Sequence, residues 1–529
     1  MKVLVVDMTH GGTIIASEFS KLPGFEVFAL DIYKTLKEKD SKRLMKNGVK
    51  LVEEDFLEEL MESNERSGEN EQSCGDEQSW GNESDKIDLT EVLTVVSPVH
   101  CDLESKIGGD NGRLMQGNIK RMTHHEAVGF LLKNRIDVPV IEITGVKGKT
   151  SVVWMLKEIF KDSNPLVLSS LGVEILKNEK GDLKHHFLKK NISITPASIL
   201  ESFNLVCNEN PHKNGVGCEN ANCLKDVGIC IFETSLGGTG LADVGILTNI
   251  AEDYPIANRT RKASQAKAQI FKSKMVVCDF DSFISIYRPV SSNYDSNLKT
   301  HPFNLNLKEH SNLVEKTNTF GLEDGANVKA FDINLGLYET TFQVEVKNLK
   351  TGAGKILNTS FEISTFAPAP YHVQNVLSVI CACLTIETPI ETIKLGLKNF
   401  RGLKGRTSIK KYKGSVILEE INPGLNVTAL KKAVDMVKDV DDVGVIFGGK
   451  YGVTCEEIDE STAANVLNKI GDVTPLMLVD ELGNNIKNII KRNFGYIVNL
   501  NDAIDHAVDM GCRNILVIYR SNFSDTKKR

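Results

Sequence analysis

Short apolar runs alternate with longer amphipathic stretches along the first part of the chain. Val3–Val6 is the first apolar run; a Gly-Gly turn and a helical stretch follow it, and Glu26–Leu30 is the next run. Strand, turn, helix and strand in this order predict a doubly wound unit built on a parallel sheet. We expect a further strand at Leu93–Val96 and a helix from His124 to Lys133.

The same alternation continues along the chain and predicts an α/β fold throughout. At roughly 150 residues per domain, the 529 residues predict three domains. We place a Rossmann-like domain at 1–137, a central parallel-sheet domain at 138–400 and a second Rossmann-like domain at 401–529. The strands that we predict in the last two domains are Val138–Ile143, Val227–Phe232, Val244–Leu247, Met275–Cys278, Ser415–Glu419, Val443–Phe447, Leu476–Val479, Tyr496–Val498 and Ile515–Ile518.

The formal net charge of −7 has a local origin. The segment Glu62–Asp85 contains eight acidic residues and only one base, Arg66, so it accounts for the whole imbalance. Its Ser, Asn, Gln and Gly content predicts a disordered insertion at about 62–86. Two further irregular stretches, at about 208–225 and 289–325, are predicted to be surface insertions. No basic patch with interleaved aromatic residues is present, so nucleic acid is not an expected partner.

Composition also indicates the compartment. No stretch approaches the roughly 20 apolar residues that cross a bilayer, so we expect no membrane partner. Asp7 and His10 interrupt the first apolar run, which is unlike a signal peptide. Eleven cysteines without regular spacing favour reduced thiols and a cytoplasmic location. A metal site is the alternative for four of them, although their spacing does not match a zinc motif: Cys207, Cys218, Cys223 and Cys230.

The strongest chemical signal follows the predicted strand Val138–Ile143. The next residues read TGVKGKT, and an amphipathic helix begins at once. Backbone N–H groups of such a loop bind phosphate, a Lys adds a positive charge and a Thr hydroxyl reaches magnesium. The loop is shorter than the usual G-x-x-x-x-G-K-[ST], and a glycine turn with a chance Lys-Thr pair is the alternative. The predicted nucleotide contacts are Gly145, Val146, Lys147, Gly148, Lys149, Thr150 and Ser151.

A carboxylate stands at the end of a second apolar strand. Glu233 follows Ile231 and Phe232, and ligands of parallel sheets bind beyond the carboxyl ends of the strands. Carboxylate oxygens suit magnesium, so we predict Thr150 and Glu233 as metal ligands. A glutamate that faces solvent at the strand end is the alternative.

These signals, with those that follow them, resemble the Mur ligase family of ATP-dependent enzymes. The short T-G-x-x-G-K-T loop, Glu233, the segment Thr248–Asp253 (T-N-x-x-x-D), a helix with Lys267 and a later G-R pair occur in the order typical of that family. The resemblance implies a three-domain architecture with a central P-loop ATPase-like sheet. It also implies ATP with two Mg²⁺ ions and activation of a carboxylate as an acyl phosphate.

The resemblance assigns roles to residues outside the loop. Lys267 would be carbamylated and would hold a second Mg²⁺, although an exposed helical lysine is the plainer interpretation. His372 and Asn375 would lie near adenine, or would simply cap a helix. Tyr254 stands where the family usually has a metal-site histidine, which puts that ligand in doubt. Arg406 would contact the ATP phosphates, Lys450 would contact phosphate or substrate, and Glu420 is a weaker candidate for the ribose.

Four segments resemble one branch of the family more closely. They are similar to the Mur-like ligases with which methanogenic archaea complete coenzyme F(430), the nickel tetrapyrrole of methane formation: Val5–Phe19, Leu30–Leu36, His124–Gly129 and Glu233–Ala257. This implies a nickel tetrapyrrole as a small-molecule substrate, with an activated propionate that closes a carbocyclic ring by an intramolecular C–C bond. The predicted substrate contacts are His10, Gly11, Gly12 and Lys450. The base that removes the carbon-bound proton could be Glu233, His10 or His100.

Two other functions stay open from the sequence. An amide-forming Mur-type ligase would share the acyl-phosphate chemistry but would consume an amino acid. A regulator that binds ATP without turnover would use the loop alone. The sequence leaves the oligomeric state open.

Overall fold

The computed structural model describes two compact units. One comprises Met1–Val328, Lys347–Asn358 and Ser378–Thr388, and the other comprises Lys329–Val346, Thr359–Leu377 and Pro389–Arg529. The predicted three-domain boundaries stay a prediction. The acidic insertion at 62–86 and most of 208–225 lie outside the described residues, which are 1–53, 93–101, 119–179, 182–190, 192–209, 223–257, 259–288, 312–403, 406–421, 425–451, 458–471 and 474–521.

The first unit begins with a five-stranded parallel sheet of order β3-β2-β1-β4-β5. Strands β2 and β4 lie on opposite sides of β1, so the order in which strands are added to the sheet reverses at β1. The carboxyl ends of β1 and β4 therefore border the crevice in which such sheets bind ligands. The elements are β1 (Lys2–Val6), a π-helical turn (Met8–Gly12), α1 (Thr13–Phe19), β2 (Glu26–Leu30), α2 (Glu38–Lys46), β3 (Lys50–Val52), β4 (Leu93–Ser97), β5 (Ile119–Thr123) and α3 (His124–Leu132).

A second sheet in this unit has the strand order β15-β14-β11-β6-β10-β7-β8-β9. The strands from β15 to β7 are parallel, and β8 and β9 extend the sheet as an antiparallel hairpin. Strand β6 is central, between β10 and β11. The elements are β6 (Val140–Thr144), α4 (Lys149–Ile159), β7 (Leu166–Ser169), β8 (Gly172–Glu179), β9 (Asp182–Lys190), α5 (Pro196–Glu209), β10 (Cys230–Glu233), β11 (Val244–Leu247), β12 (Pro255–Ile256), β13 (Arg261–Lys262), α6 (Ala263–Lys267), a 3₁₀ turn (Ala268–Lys272), β14 (Met275–Asp279), α7 (Phe280–Ser282), a π-helical turn (Phe283–Tyr287) and β15 (Thr317–Gly321).

The stretch 289–325 is not wholly a surface insertion, as the sequence had suggested. Residues 289–311 lie outside the described part of the chain, but Thr317–Gly321 forms β15 and pairs in parallel with β14. Its central residues are buried. The sequence does not reveal this strand because TNTFG is short and polar. Asn318 is buried because its side-chain amide donates a hydrogen bond to the Lys350 carbonyl at 2.8 Å.

One hydrophobic core joins the two sheets of the first unit. Phe19 of α1, Leu132 of α3 and Phe203 of α5 belong to a single cluster of buried side chains. Polar bonds reinforce it, since Glu18 accepts hydrogen bonds from Arg135 at 3.2 Å and Asn204 at 2.9 Å. The relative positions of the two sheets are therefore fixed by packing rather than by the connecting chain alone.

The second unit carries a six-stranded sheet of order β19-β20-β24-β21-β22-β23. All neighbouring strands are parallel except the β19–β20 hairpin. Its elements are α9 (Ile390–Asn399), β19 (Thr407–Tyr412), β20 (Ser415–Ile421), α10 (Val427–Asp435), β21 (Val443–Gly449), α11 (Glu460–Leu467), β22 (Leu476–Val479), α12 (Asp480–Ile486), β23 (Gly495–Ile497), α13 (Leu500–Asp509) and β24 (Asn514–Arg520). Four elements carry residues of both units: β16 (Val328–Asn334), β17 (Thr340–Lys350), β18 (Ile356–Thr365) and α8 (Pro370–Thr385).

None of the helices in the described part of the chain combines the length and the apolar character that a membrane span requires.

A buried carboxyl group organises the loop after β10. Glu142, in the middle of β6, is fully buried and accepts hydrogen bonds from the Thr239 backbone N–H at 2.7 Å and from the Thr239 hydroxyl. Burial raises the pKa of Glu142 from 4.5 to about 7, although the Thr239 bonds act in the opposite direction. The folded state therefore holds this proton more tightly than the unfolded chain does.

We expect Glu142→Gln to change how stability depends on pH. The raised pKa stabilises the fold fully below pH 4.5, and this contribution is lost as the pH rises to about 7. Gln stays neutral, so the variant should gain roughly 3 kcal/mol relative to the native protein across that window. Urea unfolding at several pH values measures it, with the exposed Glu252→Gln as the matched control. Parallel pH profiles for Glu142→Gln and the native protein would contradict the assignment.

Candidate active site

The phosphate-type loop lies between β6 and α4 and is pinned by the end of β11. Gly145 and Gly148 have φ values of 141° and 86°, which favour glycine. The Thr248 hydroxyl and the Asn249 amide donate to the Lys147 carbonyl at 2.6 and 3.1 Å. A Cβ on Gly145 would overlap the Thr248 hydroxyl. The Thr-Asn pair therefore shapes the loop, a role that the sequence motif alone did not reveal.

The Lys-Thr pair begins α4, as the sequence predicted. Gly148 precedes the helix in a left-handed conformation, and no side chain caps the first turn. Lys149 Nζ donates to the Gly145 carbonyl at 3.1 Å, which places the ammonium against the loop. Ser151 lies in the same first turn. A helix N-terminus without a side-chain cap, with a cation beside it, suits a phosphate group.

Thr150 and Glu233 are brought together by the parallel pairing of β6 and β10. The Thr150 hydroxyl donates to Glu233 Oε1 at 3.0 Å. The other carboxylate oxygen, Oε2, accepts from the Ser170 backbone N–H at 3.1 Å, and the Ser170 hydroxyl lies 3.4 Å from that of Thr150. Glu233 is 2% exposed, so this carboxylate is held rigidly rather than facing solvent. Sequence reasoning missed Ser170, although it directly follows Leu166–Ser169, a strand whose first three residues form an apolar run.

Lys267 is buried beside the same strand end. Its Nζ donates to the Ser235 carbonyl at 2.5 Å, and the residue is 1% exposed. Burial and then the positive charge of Lys149 lower the pKa of Lys267 from 10.5 to about 7. The plainer interpretation of Lys267 as an exposed helical lysine is therefore wrong. A large share of its amine is neutral, and hence nucleophilic, near neutral pH.

The T-N-x-x-x-D segment ends in a structural carboxylate. Asp253 accepts hydrogen bonds from the Ser264 backbone N–H at 2.8 Å and from its hydroxyl at 2.9 Å, at the start of α6. Tyr254 is half-buried, and burial raises the pKa of its phenol above 10. The Asp253 carboxylate thus holds the first turn of the helix that carries Lys267.

The second unit holds another group of predicted residues. Burial and the nearby Lys432 lower the pKa of His372 to about 3, and its Nδ1 is buried with no hydrogen-bond partner among the described residues. A neutral imidazole with an unused polar atom fits a base of a nucleotide. Asn375 lies one turn further along α8 and is 8% exposed.

Arg406 and Glu420 meet within this unit. The Glu420 carboxylate accepts from the Thr407 hydroxyl at 2.5 Å. Burial raises its pKa, while Thr407 and the positive charge of Arg406 lower it. Lys450 follows β21, where its backbone N–H donates to the Arg520 carbonyl at 3.0 Å. A Cβ on Gly449 would overlap Arg520, so close packing explains that glycine.

A third group lies at the carboxyl ends of β1 and β4 in the first unit. His10 Nδ1 is 2.6 Å from Asp7 Oδ2, and His100 Nε2 is 3.3 Å from His10 Nδ1. The predicted substrate glycines have packing roles here: a Cβ on Gly11 would overlap Ala197, and one on Gly12 would overlap the Asp7 carbonyl. The sequence singled out His10 and His100 but not Asp7 as a member of this group.

The first-unit residues fit Mg²⁺ and a nucleotide phosphate. The Thr150 hydroxyl and the Glu233 carboxylate are hard oxygen donors that converge within 3.0 Å, as Mg²⁺ prefers. Lys149 and the uncapped start of α4 provide positive potential for phosphate. Thr150 belongs to both groups, because its hydroxyl faces Glu233 and its backbone lies in the first turn of α4. A metal ion held by Thr150 would therefore lie beside the phosphates.

Comparisons with known proteins agree with the family expectation. Residues 409–522 match the family model described as "Coenzyme F430 synthetase CfbE, C-terminal domain". Two similar relatives are named coenzyme F(430) synthetase. The one from Methanosarcina acetivorans is 26% identical over 98% of this chain and 97% of its own length. The one from Methanocaldococcus jannaschii is 25% identical over 94% of each chain.

A solved structure bears on the fold alone. The UDP-N-acetylmuramoyl-L-alanyl-D-glutamate–2,6-diaminopimelate ligase matches with a TM-score of 0.50 at 12% identity, over 82% of this chain and 81% of the other. The predicted α/β fold of the Mur ligases is confirmed, and the chain is a homologue, over nearly its full length, of the proteins named coenzyme F(430) synthetase.

Proposed function

We propose that this protein is an ATP-dependent ligase that activates a carboxylate of a nickel seco-tetrapyrrole and closes a carbocyclic ring within it. The observation that carries the chemistry is the hydrogen-bonded pair of Thr150 and Glu233, beside Lys149 and the buried Lys267. The two relatives are named coenzyme F(430) synthetase, and this name supports an ATP-dependent ligase and suggests the substrate.

The reaction has two balanced steps. A propionate oxygen attacks the γ-phosphorus of ATP, the bond to the bridging oxygen breaks, and ADP leaves with an acyl phosphate formed on the substrate. A neighbouring carbon of the substrate loses a proton to a base and attacks the acyl carbon, and inorganic phosphate leaves as the C–C bond forms. Apart from ATP, the reaction consumes no second substrate such as an amino acid. Of the three candidates for the base, His10 and His100 remain, because both oxygens of Glu233 already accept hydrogen bonds and its carboxylate would be taken up by Mg²⁺.

The residues of the first unit perform binding and charge stabilisation in this scheme. The loop N–H groups and Lys149 orient the phosphates, so that the transferring group lies in line with the carboxylate. Thr150 and Glu233 would hold Mg²⁺, which offsets the negative charge of the phosphates when it is bound. Lys267, as a carbamate, would hold a second Mg²⁺.

The second unit supplies the remaining contacts that the family resemblance implies. His372 and Asn375 would bind adenine, Arg406 the phosphates and Lys450 phosphate or substrate. In the first unit, His10, Gly11 and Gly12 stay the proposed substrate contacts. Burial lowers the pKa of His372 to about 3, and the resulting neutral imidazole is compatible with this role.

ADP release separates this proposal from the amide-ligase alternative. With ATP, Mg²⁺ and a nickel seco-tetrapyrrole acid as the only acceptor, we expect one ADP per ring closed and a change in the visible spectrum of the tetrapyrrole. If ADP appears only after an amino acid is added, the protein forms an amide and the ring-closure proposal fails. Lys149→Ala is the negative control for nucleotide-dependent turnover.

A further inference from the structure

Three side chains at the edge of the N-terminal sheet aim their donor atoms at one point. Asp7 follows β1 directly, His10 lies in the π-helical turn after it, and His100 lies just beyond β4. Asp7 Oδ2, His10 Nδ1 and His100 Nε2 are separated by 2.6, 3.3 and 3.6 Å. They come from sequence positions 90 residues apart, so the fold rather than local sequence assembles them.

The spacing is that of a metal-ligand set. With metal–ligand bonds of about 2.1 Å, tetrahedral geometry separates neighbouring ligand atoms by about 3.4 Å. Two of the three separations lie close to that value, and the 2.6 Å pair needs only a small side-chain movement. Two imidazole nitrogens and one carboxylate oxygen suit zinc, nickel or cobalt better than magnesium.

The carboxylate is held for such a role. Asp7 is fully buried and has φ 70°, a left-handed conformation that is costly for a residue other than glycine. The Thr9 backbone N–H donates to Oδ1 at 2.8 Å, which turns the other oxygen towards the two histidines. A hydrogen bond from the Asp7 N–H to the Leu30 carbonyl, at 3.0 Å, fixes the backbone.

The site is open to a ligand on one side. The side chains of His10 and His100 are 44% and 25% exposed, while Asp7 is closed off from solvent. A metal held by these three residues would keep coordination positions towards the crevice between β1 and β4. The turn beneath it is rigid, because Gly11 packs directly against Ala197 at the start of α5.

We propose that Asp7, His10 and His100 form a binding site for a divalent transition-metal ion, distinct from the magnesium site at Thr150 and Glu233. The proposal does not rest on the proposed ligase reaction, because its test measures metal binding without nucleotide. The open positions of such a site would take a carboxylate or another oxygen donor.

Cobalt(II) titration of the full-length protein tests the site. After removal of metals with a chelator, the native protein should bind one Co²⁺ with the visible absorption of a nitrogen-ligated site, and Zn²⁺ should displace it. His10→Ala and His100→Ala should each weaken Co²⁺ binding by more than about 100-fold. Excess Mg²⁺ should not compete.

Matched variants distinguish this metal site from cobalt bound at the nucleotide site or at a surface histidine. Glu233→Ala should keep the cobalt spectrum, because that residue belongs to the nucleotide site. His185→Ala, at a partly exposed histidine paired with Glu174 at 3.0 Å, should also keep it. Circular dichroism of each variant checks the fold. The proposal is overturned if the native protein binds Co²⁺ no more tightly than the His10→Ala/His100→Ala double variant, or if Glu233→Ala alone abolishes the signal.

Discussion

Replacing Glu233 with alanine is expected to lower kcat for ATP-dependent turnover by at least about 10³-fold. The variant removes the carboxylate that accepts the Thr150 hydroxyl at 3.0 Å and the Ser170 N–H at 3.1 Å. It therefore removes a proposed metal ligand and also frees the second ligand, Thr150, to rotate. Initial rates of ADP formation at saturating substrate measure the effect.

Glu233→Gln separates charge from geometry at this position. Glutamine keeps an acceptor for Thr150 but loses the negative charge that attracts Mg²⁺. We expect a large loss of kcat with a raised Mg²⁺ requirement, while the Kd of ADP measured without Mg²⁺ stays near the native value. Glu252→Gln, the same change at an exposed glutamate, is the control. Native turnover in Glu233→Ala would show that the pair is structural only.

The parts of this site that the sequence predicted share a physical feature. Gly145, Gly148, Lys149 and Thr150 act through local backbone geometry, so four neighbouring residues are enough to reveal the loop. Glu233 was predictable because an apolar run ends there and parallel strands end at one edge. The apolar strands were placed to within three residues for the same reason: their burial on both faces makes the runs continuous.

The parts that the sequence missed depend on contacts between distant segments. Ser170 reaches Glu233 only because β7 lies beside β10. The run Leu166–Ser169 is too short to predict that pairing from the sequence. Asp7 joins His100 because β4 lies beside β1, which no local pattern encodes. The close packing of Gly11 against Ala197 is likewise invisible in the sequence, and the predicted substrate contact of this turn stays a prediction.

The buried amine of Lys267 leads to a prediction about carbon dioxide. Because burial and Lys149 lower the pKa of Lys267 to about 7, the neutral amine is abundant above that pH. A neutral amine adds to CO₂ and releases a proton, and the product is a carbamate anion that can hold Mg²⁺. We therefore expect kcat of the native protein to fall in CO₂-depleted buffer and to recover when bicarbonate is added.

Substitutions distinguish an anion from a cation at this position. Lys267→Ala should lose about 10³-fold in kcat and should regain part of it with a small carboxylate such as acetate, which can occupy the place of the carbamate. Lys267→Arg keeps the positive charge but cannot form the carbamate, so it should stay inactive with or without bicarbonate. Lys274→Ala, at an exposed lysine paired with Asp243, should retain native activity. If Lys267→Arg is active and kcat of the native protein does not depend on CO₂, the amine acts as a cation and the carbamate prediction is wrong.

The dependence on pH gives a further check: the carbamate should be lost as the pH falls through about 7, because protonation of the Lys267 amine then removes the nucleophile.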